Sequence, residues 1–148
     1  VCVGAGLAPA LCYNPGVKNG RNGGYLGEAK RFLAAAEREF VGGRRAEDDI
    51  AIRQAAEKAW GAVVQATNFL LQHHGEKVRV GTSRKEDTLR LLEDRVPRVR
   101  AARIGARFSG ALHVLHGRCF YEGDYNVTVV EREIRRASEY INDVAHLA

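Results

Sequence analysis

A chain of 148 residues is one domain's worth of sequence, long enough to bury roughly two-thirds of its unfolded surface without a disulfide or a metal. Its 45% hydrophobic and 28% charged residues describe a globular protein; no apolar run approaches the roughly 20 residues of a membrane span, and no basic segment leads into a long apolar one as in a secretion signal. The net charge of +5 permits an acidic partner such as nucleic acid but does not demand one, because the excess is spread along the chain.

Three cysteines, Cys2, Cys12 and Cys119, form no C-x-x-C pair and no metal-ligand spacing. They read as small hydrophobes in a reducing, cytoplasmic setting, with a Cys2–Cys12 bridge left open, and nothing calls for a metal or cofactor. Residues 1–24 hold six glycines and two of the prolines and read as an irregular, glycine-rich leader. Gly4-Ala5-Gly6 within it is preceded by too few residues for the strand that a dinucleotide loop needs.

Residues 25–148 form a single helical domain. From Tyr25, the residues Leu26, Ala29, Phe32, Ala36 and Phe40 recur at helical steps, and Gly42-Gly43 is expected to stop this first helix. A second, longer helix spans about 46–74, with the acidic start Glu47-Asp48-Asp49, an apolar face from Ile52 to Leu70, Trp60 beside it, and Gly75 as its C-terminal cap. A short third helix lies within 81–96, with Ser83 and Glu86 at capping-box spacing and Leu89, Leu92 and Val96 as its stripe. Pro97 breaks the chain before a fourth helix over 98–121, whose inward residues are Ala101, Ile104, Phe108, Ala111, Leu115 and Cys119. After a turn at 123–126, the last helix carries the cleanest stripe, from Val127 to Ala148. The pattern is all-α: an antiparallel up-and-down bundle of four main helices plus one short one. The last stripe serves as a seam of the bundle or of a homodimer.

Candidate chemistry collects on the fourth helix. At about 100° per residue, Arg100, Arg103, Arg107 and Arg118 share one side of its apolar stripe, His116 lies at the other edge, and His113 lies on the polar face. The arginine ridge reads either as a phosphate-binding surface or as a solvated face with ion pairs to Glu131 or Glu133. His116 reads either as a general acid/base or phosphate donor, or as a half-buried histidine bonded to a carboxylate on a facing helix, for which Glu57 is in reach. His113 and His146 read as surface residues, and His73 and His74 as helix-end residues. No third ligand joins His113 and His116, so no metal site is predicted. Trp60 beside Gly61 pairs a large residue with a gap, and Phe120 and Tyr121 are expected to close the end of the bundle.

Two segments carry a family resemblance. Gln54 to Ala62 resembles an "A-S-E-K-x-W-x-A" signature, with Glu57, Lys58 and Trp60 matching, and Leu115 to Gly123 resembles "L-H-x-N-F-Y-E-G", with His116, Phe120, Tyr121 and Glu122 matching. Both are signatures of the PaREP family of archaeal paralogous proteins, and the resemblance extends over 25–148. That family is similar to the HEPN superfamily of helical bundles, which implies a homodimer. It also implies one of three activities: a non-catalytic RNA- or nucleotide-binding module, a metal-independent endoribonuclease of toxin type, or a partner of a minimal nucleotidyltransferase. The superfamily's ribonuclease motif is an arginine followed after four to six residues by a histidine. Were His116 that histidine, the arginine would stand at 109–111, where the chain has Ser109, Gly110 and Ala111; Arg107 and His113 fit the spacing instead. The resemblance thus nominates His116, His113 and Arg107 as catalytic candidates, and Arg103, Arg107, His116, Arg118 and Tyr121 as ligand contacts, in a chain read as a binding module before an enzyme.

Overall fold

The computed structural model describes residues 23–148; the Cys2–Cys12 alternative and residues 1–22 of the expected leader 1–24 lie outside the described residues, and of the leader's last two residues Gly23 caps the first helix and Gly24 begins it. Among the described residues every regular element is helical. Six α-helices follow in order: α1 (Gly24–Ala46), α2 (Asp49–His73), α3 (Thr82–Arg95), α4 (Pro97–Ala101), α5 (Ile104–Ala111) and α6 (Val127–Leu147). Helix α5 runs directly into a π-helical segment, Leu112–Glu122.

Helix α2 is the axis of the fold, because it is small-sided almost all round. Ala55, Ala56, Ala59, Ala62 and Ala66 are fully buried, which lets neighbours approach closely, while Trp60, Leu70 and Leu71 fill the space that remains. Helix α1 answers with Ala29, Ala36 and Gly43, three buried small residues seven apart. The gap at Gly61 is filled by the Phe32 ring of α1, which a Cβ there would meet at 3.3 Å. Contacts between ends fix the directions: Gly43 lies at Ala51, Arg53 at Phe120, Tyr140 at Thr67 and Arg107 at Asp143. The long elements therefore alternate, with α1 antiparallel to α2, the α5–π rod antiparallel to α2, and α6 parallel to α2.

The first helix does not stop at Gly42-Gly43. It continues to Ala46 and closes on Glu47 in the left-handed region, with the Asp48 amide bonding the Gly43 carbonyl at 2.9 Å. Gly43 serves a close crossing instead: a Cβ there would stand 2.9 Å from the Ala51 Cβ. Asp48 then caps α2, accepting from the Ala51 amide at 3.1 Å, and Gly75 ends it as the sequence predicts. The Ser83–Glu86 capping box does not form. Gly81 stands at the N-cap of α3, and Glu86 accepts instead from the Ser109 hydroxyl at 2.7 Å.

The expected fourth helix is three elements. Ala102 and Arg103 interrupt it, Arg103 at φ 54°, and Glu93 of α3 caps the new start by accepting from the Gly105 amide at 2.8 Å. The interruption resets the helical phase, so Val99 is buried and Ala101 is exposed, the reverse of the expected placement of Ala101. The last stripe is an internal seam: Val130, Ile134, Ala137, Ile141 and Val144 are buried within this one chain, together with Tyr140.

Candidate ligand-binding site

The π-helical segment carries the motif residues His116 to Glu122. Its i→i+5 bonding widens the turn, a geometry rare in proteins and frequent at functional sites. Two features hold its C-terminal end. The amides of Gly123 and Asp124 both donate to the Arg118 carbonyl. Arg53 of α2 reaches across and donates to the Phe120 carbonyl at 2.7 and 3.1 Å and to the Tyr121 carbonyl at 3.3 Å. The Arg53 guanidinium lies against Gly123, where a Cβ would stand 3.2 Å from it, and Gly123 also has φ 65°, so the position favours glycine twice over. Asp49 steadies Arg53 from one turn away at 3.6 Å and accepts from the Tyr125 hydroxyl at 2.6 Å. Burial and that hydrogen bond push the Tyr125 phenol up to about 12.

His116 stands on the face this clamp orients. Its Nδ1 lies 2.7 Å from Glu57 Oε2, so the carboxylate fixes the ring. The other ring nitrogen, Nε2, is left for a ligand. Both side chains are about one-third exposed, 31% and 35%, so the pair is half-open and not buried. Around it stand the rings of Trp60 at 6.0 Å, Phe120 at 6.1 Å and near parallel, and Tyr121 at 5.1 Å and edge-on. Phe120 is half-buried, but Tyr121 is 69% exposed and does not close the end of the fold: Arg53 binds its carbonyl and the ring projects outward. Lys58 forms an ion pair with Glu39 of α1, and Glu122 is exposed. Cys119, one turn from His116, is fully buried, and burial pushes its thiol up to about 11, which disfavours the thiolate at neutral pH.

The arginines nominated with His116 lie elsewhere. Arg107 faces α6, bonding Asp143 at 2.8 Å and stacking 5.4 Å from the centre of the Tyr140 ring. Arg103 lines the same cleft, while Arg118 lies on the π-helical segment, paired with Asp124 at 3.0 Å. Arg103 and Arg107 thus stay together on the cleft, one turn apart, while Arg118 stands on the π-helical segment with Asp124. Glu131 and Glu133, the alternative partners, pair instead with Arg44 and Arg136. His113 is exposed and makes no hydrogen bond or ion pair among the described residues, with Arg107 or any other side chain. The clamp residues Asp49, Arg53 and Tyr125 were not singled out from the sequence. Their signal is a row of charged residues, Asp49, Arg53 and Glu57, at four-residue steps on one face of α2.

The fold and site define an all-helical protein with a histidine–carboxylate pair held half-open at a π-helical turn. No group of three or more potential metal-ligating side chains occurs among the described residues, and no helix there is long and apolar enough to cross a membrane. The model of the archaeal PaREP1/PaREP8 family matches residues 25–141, and the chain belongs to that family. No curated protein and no solved structure matches it.

Proposed function

We propose that the chain is a HEPN-like, non-catalytic RNA- or nucleotide-binding module acting as a homodimer. The observation that carries this reading is the His116 ring, oriented by Glu57 beside the outward ring of Tyr121. An imidazole nitrogen and an exposed aromatic face are the groups that take a phosphate oxygen and an unpaired base. Arg118 adds positive charge on the same segment, and the net charge of +5 favours a polyanion.

The test is fluorescence anisotropy of the protein with a labelled single-stranded RNA. Affinity is expected to fall steeply between about 50 and 200 mM salt. Tyr121→Ala is expected to cost about 1–3 kcal/mol of binding, and His116→Ala to weaken it further. No saturable binding at low salt, or binding indifferent to both substitutions, overturns the proposal. So does a stable complex with a nucleotidyltransferase in a protein that has no RNA affinity. A monomer at micromolar concentration by light scattering overturns the homodimer.

One observation favours a second reading, a metal-independent endoribonuclease. A histidine whose Nδ1 is held at 2.7 Å by a carboxylate is the arrangement of a general base and its orienting group. In that case RNA is cleaved in the presence of EDTA and the activity is lost in His116→Ala; cleavage that survives the substitution excludes it.

A further inference from the structure

A second region outside the His116 face has the build of a ligand site. Helices α4–α5 and α6 diverge around a cleft of about 500 Å³. That volume lies within the range of small-molecule pockets. Its lining includes the small residues Ala102, Ala106, Gly110 and Ala137, which leave room beside the backbone. Three arginines line it, Arg103, Arg107 and Arg136.

Arg107 is held in advance of any ligand. It lies over the Tyr140 ring, and Tyr140 is 2% exposed with its hydroxyl 2.7 Å from Thr67 Oγ1, which donates to the Val63 carbonyl at 2.8 Å. Only Nη1 of Arg107 is engaged, by Asp143 and by the Ala102 carbonyl; Nε and Nη2 have no partner among the described residues. The Arg103 side chain makes no hydrogen bond or ion pair there either, so the α5 wall is rich in unused donors. On α6, Arg136 bonds Glu133 through Nη1 alone. The α6 wall offers acceptors: Glu139, with no ion pair among the described residues, and Asp143, which is 52% exposed.

We infer that this cleft binds a small phosphomonoester bearing hydroxyl groups, its phosphate on Arg103 and Arg107 and its hydroxyls on Glu139 and Asp143. Planar guanidiniums take phosphate oxygens in pairs, and carboxylates accept from hydroxyls. A bare phosphate satisfies the first wall only. A nucleotide and a sugar phosphate share the chemistry, and the experiment separates them.

Isothermal titration calorimetry on the intact chain at low salt tests this with four probes: inorganic phosphate, ribose 5-phosphate, adenosine 5′-monophosphate and adenosine. Both esters are expected to bind saturably and more tightly than inorganic phosphate, and adenosine not to bind. Preference between the two esters identifies a sugar phosphate or a nucleotide as the ligand. Arg103→Gly suits the left-handed backbone at φ 54°, so the fold survives while affinity falls about tenfold. Arg107→Lys keeps the charge, loses the paired donors and is expected to weaken binding by a similar factor. His116→Ala is expected to leave ribose 5-phosphate binding unchanged, because His116 does not line the cleft, so this inference and the RNA or nucleotide reading of the His116 face stand or fall separately. No saturable heat below about 10 mM ester, adenosine binding as well as its phosphate, or affinity unmoved in both arginine variants overturns it. Equal affinity for inorganic phosphate and both esters overturns the role of Glu139 and Asp143.

Discussion

The His116 face and the α5–α6 cleft solve one problem in opposite ways. Each must hold a polar group still at the surface of an alanine-rich core. At the His116 face the holding is complete: Glu57 fixes one ring nitrogen, Arg53 fixes the backbone beneath it, and a single nitrogen and a single exposed ring remain. In the cleft the holding is partial. Tyr140 and Asp143 position Arg107 but leave most donors of three guanidiniums unspent. A face with few free groups selects by shape and stacking. A cleft with many selects by charge.

The comparison breaks most severely at Trp60, whose ring is 6.0 Å from His116 and 5.0 Å from Phe108 of α5, the helix that carries Arg107. Trp60→Ala is expected to cost about 3–5 kcal/mol in chemical denaturation and to abolish ligand binding at both regions. Gly43→Ala is next, at about 1–3 kcal/mol, because it forces α1 off α2 at a crossing remote from either region. Unfolding in urea with unchanged RNA and ester affinity below the transition checks it. A matched pair separates the two regions. Tyr140→Phe, which removes the hydroxyl bonded to Thr67, is expected to cost about 1 kcal/mol and to leave the His116 face unaltered. Glu57→Gln is expected to cost under about 1 kcal/mol, given the exposure of the pair, and to alter only the His116 face.

The smallest effect belongs to His74, which stands apart from both. Its burial, and then the neighbouring His73, hold it below the ordinary 6.5. The unfolded chain therefore takes up the proton first, and the stability His74 contributes is present above pH 6.5 and lost as the pH falls through and below that value. The thermal midpoint Tm is expected to fall between about pH 8 and 5.5, and to fall less in His74→Gln.

The helices that sequence periodicity made legible are those whose burial is local and regular. The α6 stripe, the α2 face, the Gly75 cap and the Pro97 break all follow from neighbours a few residues apart; the Glu57–His116 pair spans 59 residues and follows from setting α2 against the segment that carries His116. The elements it missed are decided by side chains far away in the chain. Arg103 turns left-handed where Glu93 supplies a cap for α5. The π-helical segment ends where Arg53, 67 residues earlier, takes the Phe120 carbonyl. A wheel drawn at a constant 100° assumes i→i+4 bonding throughout, so it extends the arginine ridge to Arg100 and Arg118, whereas of these only Arg103 and Arg107 line one cleft. Glycines misled in the same manner: Gly42-Gly43 looked like punctuation, and Gly43 is a crossing point.

The π-helical segment also sets what kind of genetic change this protein tolerates. Removing one residue between Leu112 and Glu122 lets the turns relax to i→i+4 closure, and everything beyond the deletion rotates by about 100°. His116 or Tyr121 would then leave its partner without any side chain having been altered. The segment is constrained in its length before its composition. Single-residue deletions there are expected to be more damaging than most substitutions at the same positions.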